Sequence, residues 1–314
     1  MKENDLCGWF LVNKPVGLSS RKTGNLISRK INAQKFGHIG TLDPNASGLL
    51  PILINDATRF AFGLEKADKS YRATIQFGWS STTDDSEGDI SFKNYLSAKY
   101  LNYEFVNQQL QEFIGEIWQI PPAYSAIRVS GQRLYQKMRH PRKTKEYFQS
   151  IKIPPKLVKI YAIQLEKINF EKQSIVIKID CGSGTYIRSI ARELGEKLGC
   201  GGYILTLERI ILADFNFVDS VNFKNFENTS NEEIIKKYLR PADQLTKNLI
   251  PIKLSNLNCK KILNGQKVNI EKNKFQAAKM QKVRLYSEND KFIGIGIIDQ
   301  EYLIASRLLP IQNF

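Results

Sequence analysis

The sequence predicts an α+β fold with a central mixed or antiparallel sheet over residues 1–245 and a small β-rich unit over 246–314. Three observations carry this expectation. Tyr71, Ala73, Ile75, Phe77 and Trp79 alternate with more polar neighbours, the period of a half-buried strand. Helical and strand-like stretches are interspersed in an order that suits helices packed on a central sheet. Beyond a connection near 241–250, Val283–Ser287 and Lys291–Asp299 flank the turn Glu288-Asn289-Asp290, the pattern of a hairpin.

In chain order, Trp9–Val12 reads as a short strand, and Ser19 or Ser20 can cap a helix running to about Ile31. Leu49–Ile54 is a continuous apolar run, read as a buried strand, and 56–67 reads as helical. Ser97–Ile114 carries Leu101, Phe105, Leu110 and Phe113 and is predicted to be a helix stopped by Gly115. Alternating stretches near 157–165 and 174–180 predict two more strands. Thr185 is expected to cap a helix through Leu198 that ends at Gly199. Tyr203–Phe217 is strand-like, Ser230 with Glu233 resembles a capping box, and Ser255–Asn264 reads as a helix ended by Gly265. No internal repeat with a fixed period is visible.

The chain has 314 residues, enough for a sizeable core, and 46 Lys and Arg against 31 Asp and Glu, a net charge of +15. That excess favours a polyanionic partner, with an anionic membrane surface as the alternative. No run approaches the roughly 18 apolar residues of a membrane span, and the charged N-terminus lacks a signal-peptide core. The four cysteines form no Cys-x-x-Cys pair and suit a reducing compartment. Two histidines exclude a histidine-rich metal centre and argue against zinc. The expected setting is cytoplasmic, without membrane or metal.

The most informative stretch is 37–48, Gly-His-Ile-Gly-Thr-Leu-Asp-Pro-Asn-Ala-Ser-Gly. Pro44 biases Asp43 away from helical angles, so the carboxylate should sit on a turn braced by the strand behind it. A lone carboxylate so held suits a nucleophile or general base. It equally suits a turn residue that bonds nearby amides, and local chemistry leaves both readings open.

The whole string resembles the Gly-His-x-Gly-x-Leu-Asp-Pro-x-Ala-x-Gly signature of the TruB family of tRNA pseudouridine synthases. Four more blocks follow the family's order: Lys14-Pro15-Val16-Gly17-Leu18-Ser19-Ser20, Lys69-Ser70-Tyr71-Arg72, Ile120–Ala126 and Gly184-Thr185-Tyr186-Ile187-Arg188-Ser189. The resemblance covers most of residues 8–210 and implies a pseudouridine synthase catalytic domain. More weakly, it implies a PUA-like RNA-binding domain over 246–314, where 12 Lys and Arg face 5 Asp and Glu. The activity it implies is isomerisation of uridine 55 in the tRNA T-loop, which requires no cofactor. The T-arm of tRNA is the implied partner, with no obligatory protein partner.

The resemblance assigns the essential aspartate to Asp43. Desolvation would raise its pKa, so a cation should oppose that. The resemblance supplies Arg188, which otherwise reads as a surface arginine at a helix start. Tyr71 lies in phase with the buried face of its strand, so periodicity favours core packing, whereas the resemblance has it stacking on the target base. Tyr186 and Leu207 resemble residues that line the flipped nucleotide's pocket. His38 resembles the residue that braces the vacated loop, and alone reads as a hydrogen bonder. Lys14 is expected to buttress the Asp43 loop. Gly182-Ser183-Gly184 suits either phosphate binding or a plain turn.

Residues 128–159 hold ten Lys and Arg, one acid, and the aromatics Tyr135, Tyr147 and Phe148, a composition that suits an RNA-gripping segment. Here the chain departs from the family, as it does at Glu208, where a basic residue is usual. Asp84, Asp85, Glu87 and Asp89 lack calcium-loop spacing and read as a solvent loop. Two rivals to a stand-alone tRNA enzyme remain: an RNA-guided synthase of the same superfamily, and a non-catalytic tRNA-binding or folding protein. No second carboxylate in the matched blocks supports a glycoside hydrolase.

Overall fold

The computed structural model describes residues 6–97, 99–125, 128–129, 132–133, 153–270 and 280–310. The first part of the chain contributes strands β1 (Gly8–Lys14), β2 (Phe36–His38), β3 (Ala46–Ile54), β4 (Lys69–Phe77), β5 (Trp79–Ser81), β6 (Ile90–Phe92) and β7 (Gly115–Gln119). Then come β8 (Arg128–Val129), β9 (Gln132–Arg133), β10 (Lys156–Asn169), β11 (Ser174–Cys181), β12 (Gly202–Leu212) and β13 (Val221–Asn222). Among the described residues these build a nine-stranded sheet in the order β13-β1-β3-β12-β4-β11-β10-β7, with β2 paired to β3. It is mixed: β3 runs antiparallel to β1 and parallel to β12, while β4 is antiparallel to both β12 and β11.

Helices α1 (Ser20–Lys30), α2 (Phe62–Glu65), α3 (Tyr103–Gln111) and α4 (Ile187–Lys197) accompany this sheet, followed by α5 (Asn225–Asn228) and α6 (Asn231–Tyr238). One apolar cluster takes Ile27 from α1, Val106 and Leu110 from α3, and Ile190 and Leu194 from α4 against Ala73, Ile75 and Phe77 of β4. The period-two pattern of β4 is therefore the imprint of one face burying under helices. Ser19 caps α1 by accepting from the Lys22 amide.

Four local features differ from expectation. The helix predicted from Ser97 begins at Tyr103, because Asn102 caps it by accepting from the Phe105 amide at 2.9 Å. The Ser97 carbonyl instead closes a turn with Tyr100 and Leu101. Thr185 is not a cap: its hydroxyl donates to the Gly182 carbonyl at 3.0 Å, and α4 starts after Tyr186 without a side-chain cap. Residues 55–60 form a 3-10 turn rather than an α-helix, and β12 stops at Leu212, short of Phe217.

The second sheet is formed by β14 (Ile250–Lys253), β15 (Val268–Asn269), β16 (Gln281–Tyr286), β17 (Phe292–Asp299) and β18 (Tyr302–Leu308), in the order β14-β16-β17-β18-β15. Helix α7 (Asn256–Leu263), capped by Ser255, packs Cys259 and Ile262 on it. The two sheets share a seam in which Phe292, Ile295 and Leu309 join Trp9, Phe60, Leu212 and Leu245. No described helix is long and apolar enough to cross a membrane. The basic stretch 128–159 falls mostly outside the described residues.

Candidate active site

Asp43 lies in the loop between β2 and β3, and two glycines let that loop approach β12. Gly40 (φ +66°) faces the Arg209 side chain, and a Cβ on Gly48 (φ +104°) would stand 2.3 Å from the Arg209 carbonyl. Lys14, fully buried, donates from Nζ to the carbonyls of Pro15 at 2.8 Å, Leu18 at 2.6 Å and Pro44 at 3.2 Å. All three of its donors thus hold backbone, one of them directly after Asp43. Burial lowers its pKa to about 8. Ser20 accepts from the Leu42 amide and donates to the Leu42 carbonyl, tying the same loop to α1.

Arg188, in the first turn of α4, is buried rather than on the surface. Its Nε meets Asp43 Oδ2 at 3.1 Å and its Nη1 meets Asp85 Oδ2 at 3.3 Å. Nη1 also donates to the Thr83 carbonyl at 2.9 Å and Nη2 to the Tyr124 carbonyl at 3.0 Å. One guanidinium therefore joins four segments, which its planar fork of donors makes possible. Burial pushes the Asp43 carboxyl above the usual carboxylate range. Arg188 and Lys14 pull it back, and the neighbouring Asp85 adds to the rise. The carboxylate is 37% exposed at the mouth of its cleft, whereas Arg188 beneath it is 6% exposed.

The acidic stretch 84–89 corrects the expectation of a solvent loop in its first two residues, while Glu87 and Asp89 are exposed as expected. Asp84 and Asp85 are both buried. Asp84 pairs with Arg192 Nη1 at 2.5 Å, one helical turn beyond Arg188. Two consecutive carboxylates thus meet two arginines spaced i, i+4 on α4. Charge counting read these acids as solvated because their partners lie about a hundred residues away.

The cleft is lined by Asp43, Ala46, Asp85, Arg188, Ile204 and Leu207, among others. Leu207 is thus a wall. Tyr71 packs in the core cluster at 8% exposure, and Arg209 is its direct cross-strand neighbour. Tyr186 is held through its backbone by buried Gln119, which donates to the Tyr186 carbonyl at 3.0 Å and accepts from its amide at 2.8 Å. Burial raises both phenols, and both feel the Asp43 charge. His38 reaches Thr41 Oγ1 at 3.2 Å, and burial lowers its imidazole pKa. Gln119, Asp85 and Arg209 escaped sequence reasoning. Only Gln119 carried a signal, a polar residue directly before the matched block Ile120–Ala126. The arrangement offers one anionic oxygen pair in a partly dry cleft, oriented by a fixed cation.

The sequence model described as "TruB family pseudouridylate synthase (N terminal domain)" matches residues 28–187, and "Pseudouridine synthase II TruB, C-terminal" matches 251–309. A relative from Aquifex aeolicus named tRNA pseudouridine synthase B is 34% identical, covering 96% of this chain and 99% of its own. One of the same name from Pseudomonas fluorescens is also 34% identical, over 97% and 96% respectively. Among solved structures, an H/ACA RNP bound to a substrate RNA containing 2'-deoxyuridine has a TM-score of 0.67 at 19% identity, covering 98% of this chain and 86% of that one. The archaeal box H/ACA sRNP Nop10-Cbf5 complex gives 0.66 at 20% identity, covering 96% and 86%. These two share the fold. Matched by that family's model through the segment that carries Asp43, and by relatives along nearly all its length, the chain belongs to the TruB family of pseudouridylate synthases.

Proposed function

We propose that this protein converts uridine 55 in the T-loop of tRNA to pseudouridine, with Asp43 as the catalytic carboxylate. The observation that carries the reading is the Asp43–Arg188 pair, a carboxylate at the mouth of a cleft held by a buried arginine. The names of the curated relatives supply the tRNA substrate. Isomerisation breaks the N-glycosidic bond and joins C5 to the ribose, so the reacting atoms must leave the folded T-loop. Flipping the nucleotide costs a few kcal/mol, which contacts in the pocket must offset. In this reading Asp43 reacts with the extruded nucleotide, Tyr71 contacts its base, and Tyr186 and Leu207 bound the pocket. His38 braces the vacated loop, and Lys14 fixes the backbone beside Asp43.

Residues 1–245 act as the catalytic domain and 246–314 as a PUA-like RNA-binding domain. The basic segment 128–159 grips the T-arm, and the enzyme works in the cytoplasm without an obligatory protein partner. The test is purified protein with an unmodified tRNA transcript, followed by mapping of pseudouridine, alongside an isolated T stem-loop as a weaker substrate. Modification of position 55 without added RNA is the expected result. Turnover only with a guide RNA would favour the RNA-guided rival, and binding without turnover the non-catalytic one.

A further inference from the structure

Arg209 is 1% exposed, among the largest fully buried side chains of the protein, yet among the described residues it pairs with no carboxylate. Its Nε donates to the Leu49 carbonyl at 2.7 Å, and its Nη2 is buried without a hydrogen-bond partner. The bases Lys14, Lys69 and His38 all feel its charge, and none of them can neutralise it. Burying a guanidinium without an anion is costly, so such a residue calls for a compensating negative charge.

The sheet register names the group that can supply it. Arg209 on β12 is the direct cross-strand partner of Tyr71 on β4, so the two side chains leave the same face of the sheet. The remaining charged or titratable groups facing Tyr71 are Cys181 from β11 and Asp43 from its loop, neither of them cationic. A phenolic hydroxyl has one proton to donate and lone pairs to accept. A guanidinium has only protons to offer, so a contact with the hydroxyl uses its acceptor side and turns the O–H away from Arg209.

We infer that Arg209 is a positioning residue that acts through Tyr71: it fixes the direction of the Tyr71 O–H and stabilises negative charge on that oxygen. The inference rests on the reading that Tyr71 contacts the reacting base. Burial raises the Tyr71 pKa and Arg209 opposes the rise, which agrees in sign.

The test compares the parent with Arg209→Lys, Arg209→Met, Tyr71→Phe and the double variants. Tyrosine carrying 13C at Cζ gives a Tyr71 signal identified by its loss in Tyr71→Phe. In Arg209→Met that signal should ionise at higher pH than in the parent, with Arg209→Lys between them. Single-turnover rates on tRNA should fall at least about tenfold in Arg209→Met, with tRNA affinity unchanged. In the Tyr71→Phe background, Arg209→Met should change the rate by less than about threefold, because coupled residues are not additive. An unmoved Tyr71 ionisation, or multiplicative rate losses, would overturn the inference. Should the Arg209 variants fail to fold, the Arg209 guanidinium 15N signals of the parent and Tyr71→Phe still decide it: identical signals refute the contact. The titration needs no RNA, so an inactive parent would sink the functional reading and leave this measurement standing.

Discussion

Replacing Arg188 by Ala removes the cation between two carboxylates. Asp43 and Asp85 lie 3.1 and 3.3 Å from the guanidinium, so its loss leaves like charges facing across the gap it filled. A unit pair about 4 Å apart interacts by about 4 kcal/mol at an effective dielectric of about 20, roughly three pKa units. Asp43 opens to solvent, so screening reduces this, and the Asp43 carboxyl is expected to rise further once the arginine's pull is gone. Asp43 already titrates above the usual range. A further rise depletes the ionised form and lowers the chemical rate in acidic and neutral buffer, by up to about tenfold for each unit of rise. The sign is specific. The acid limb of the pH–rate profile moves to higher pH, and alkaline buffer restores part of the loss. Arg188→Lys recovers only a fraction, because an ammonium cannot serve Asp43, Asp85, Thr83 and Tyr124 together. Single-turnover rates across pH on an unmodified tRNA transcript, with affinities measured in parallel, make the check. A loss confined to affinity, or an unmoved acid limb, would refute the reasoning.

Asp43→Asn should abolish turnover and leave tRNA binding nearly intact; residual activity within about tenfold of the parent would reject Asp43 as the reactive group. Because the folded carboxyl titrates above its unfolded value, its ionisation costs stability, a cost absent below the unfolded pKa and complete above the folded one. Thermal melts should therefore shift in the Asn variant's favour as pH rises from about 4 towards neutral. Lys14→Met keeps the buried stem but strands the Pro15 and Leu18 carbonyls, while Pro44 keeps the Gly17 amide, so a loss of about 2 kcal/mol or more in denaturant titrations is expected. Replacing Arg139, Arg142, Lys143 and Lys145 with Gln should reduce the log–log salt slope of tRNA binding by roughly 0.7 to 0.9 per lost phosphate contact. An unchanged slope would move the RNA grip elsewhere.

Much of the fold could be read from residue order because its signals are local. The alternation of β4, the apolar run of β3, the Ser19, Ser230 and Ser255 caps and the glycines ending helices each depend on neighbours within a turn or a strand. The Asp43 loop and its pairing with Arg188 were legible for a different reason: both lie in long matched blocks, although 145 residues separate them. What the chain order could not convey is which polar side chains become buried. Asp84 and Asp85 look like a solvated acidic loop until α4 presents Arg192 and Arg188 to them. Gln119 reads as a polar strand end until the Tyr186 backbone, 67 residues on, occupies both ends of its amide. Arg209 has no local feature that separates it from a surface arginine. The physical reason is common to all three. Apolar burial follows from a residue's own chemistry and periodicity, whereas a buried charge or amide is tolerated only where distant segments satisfy it, and tertiary structure alone brings those segments together.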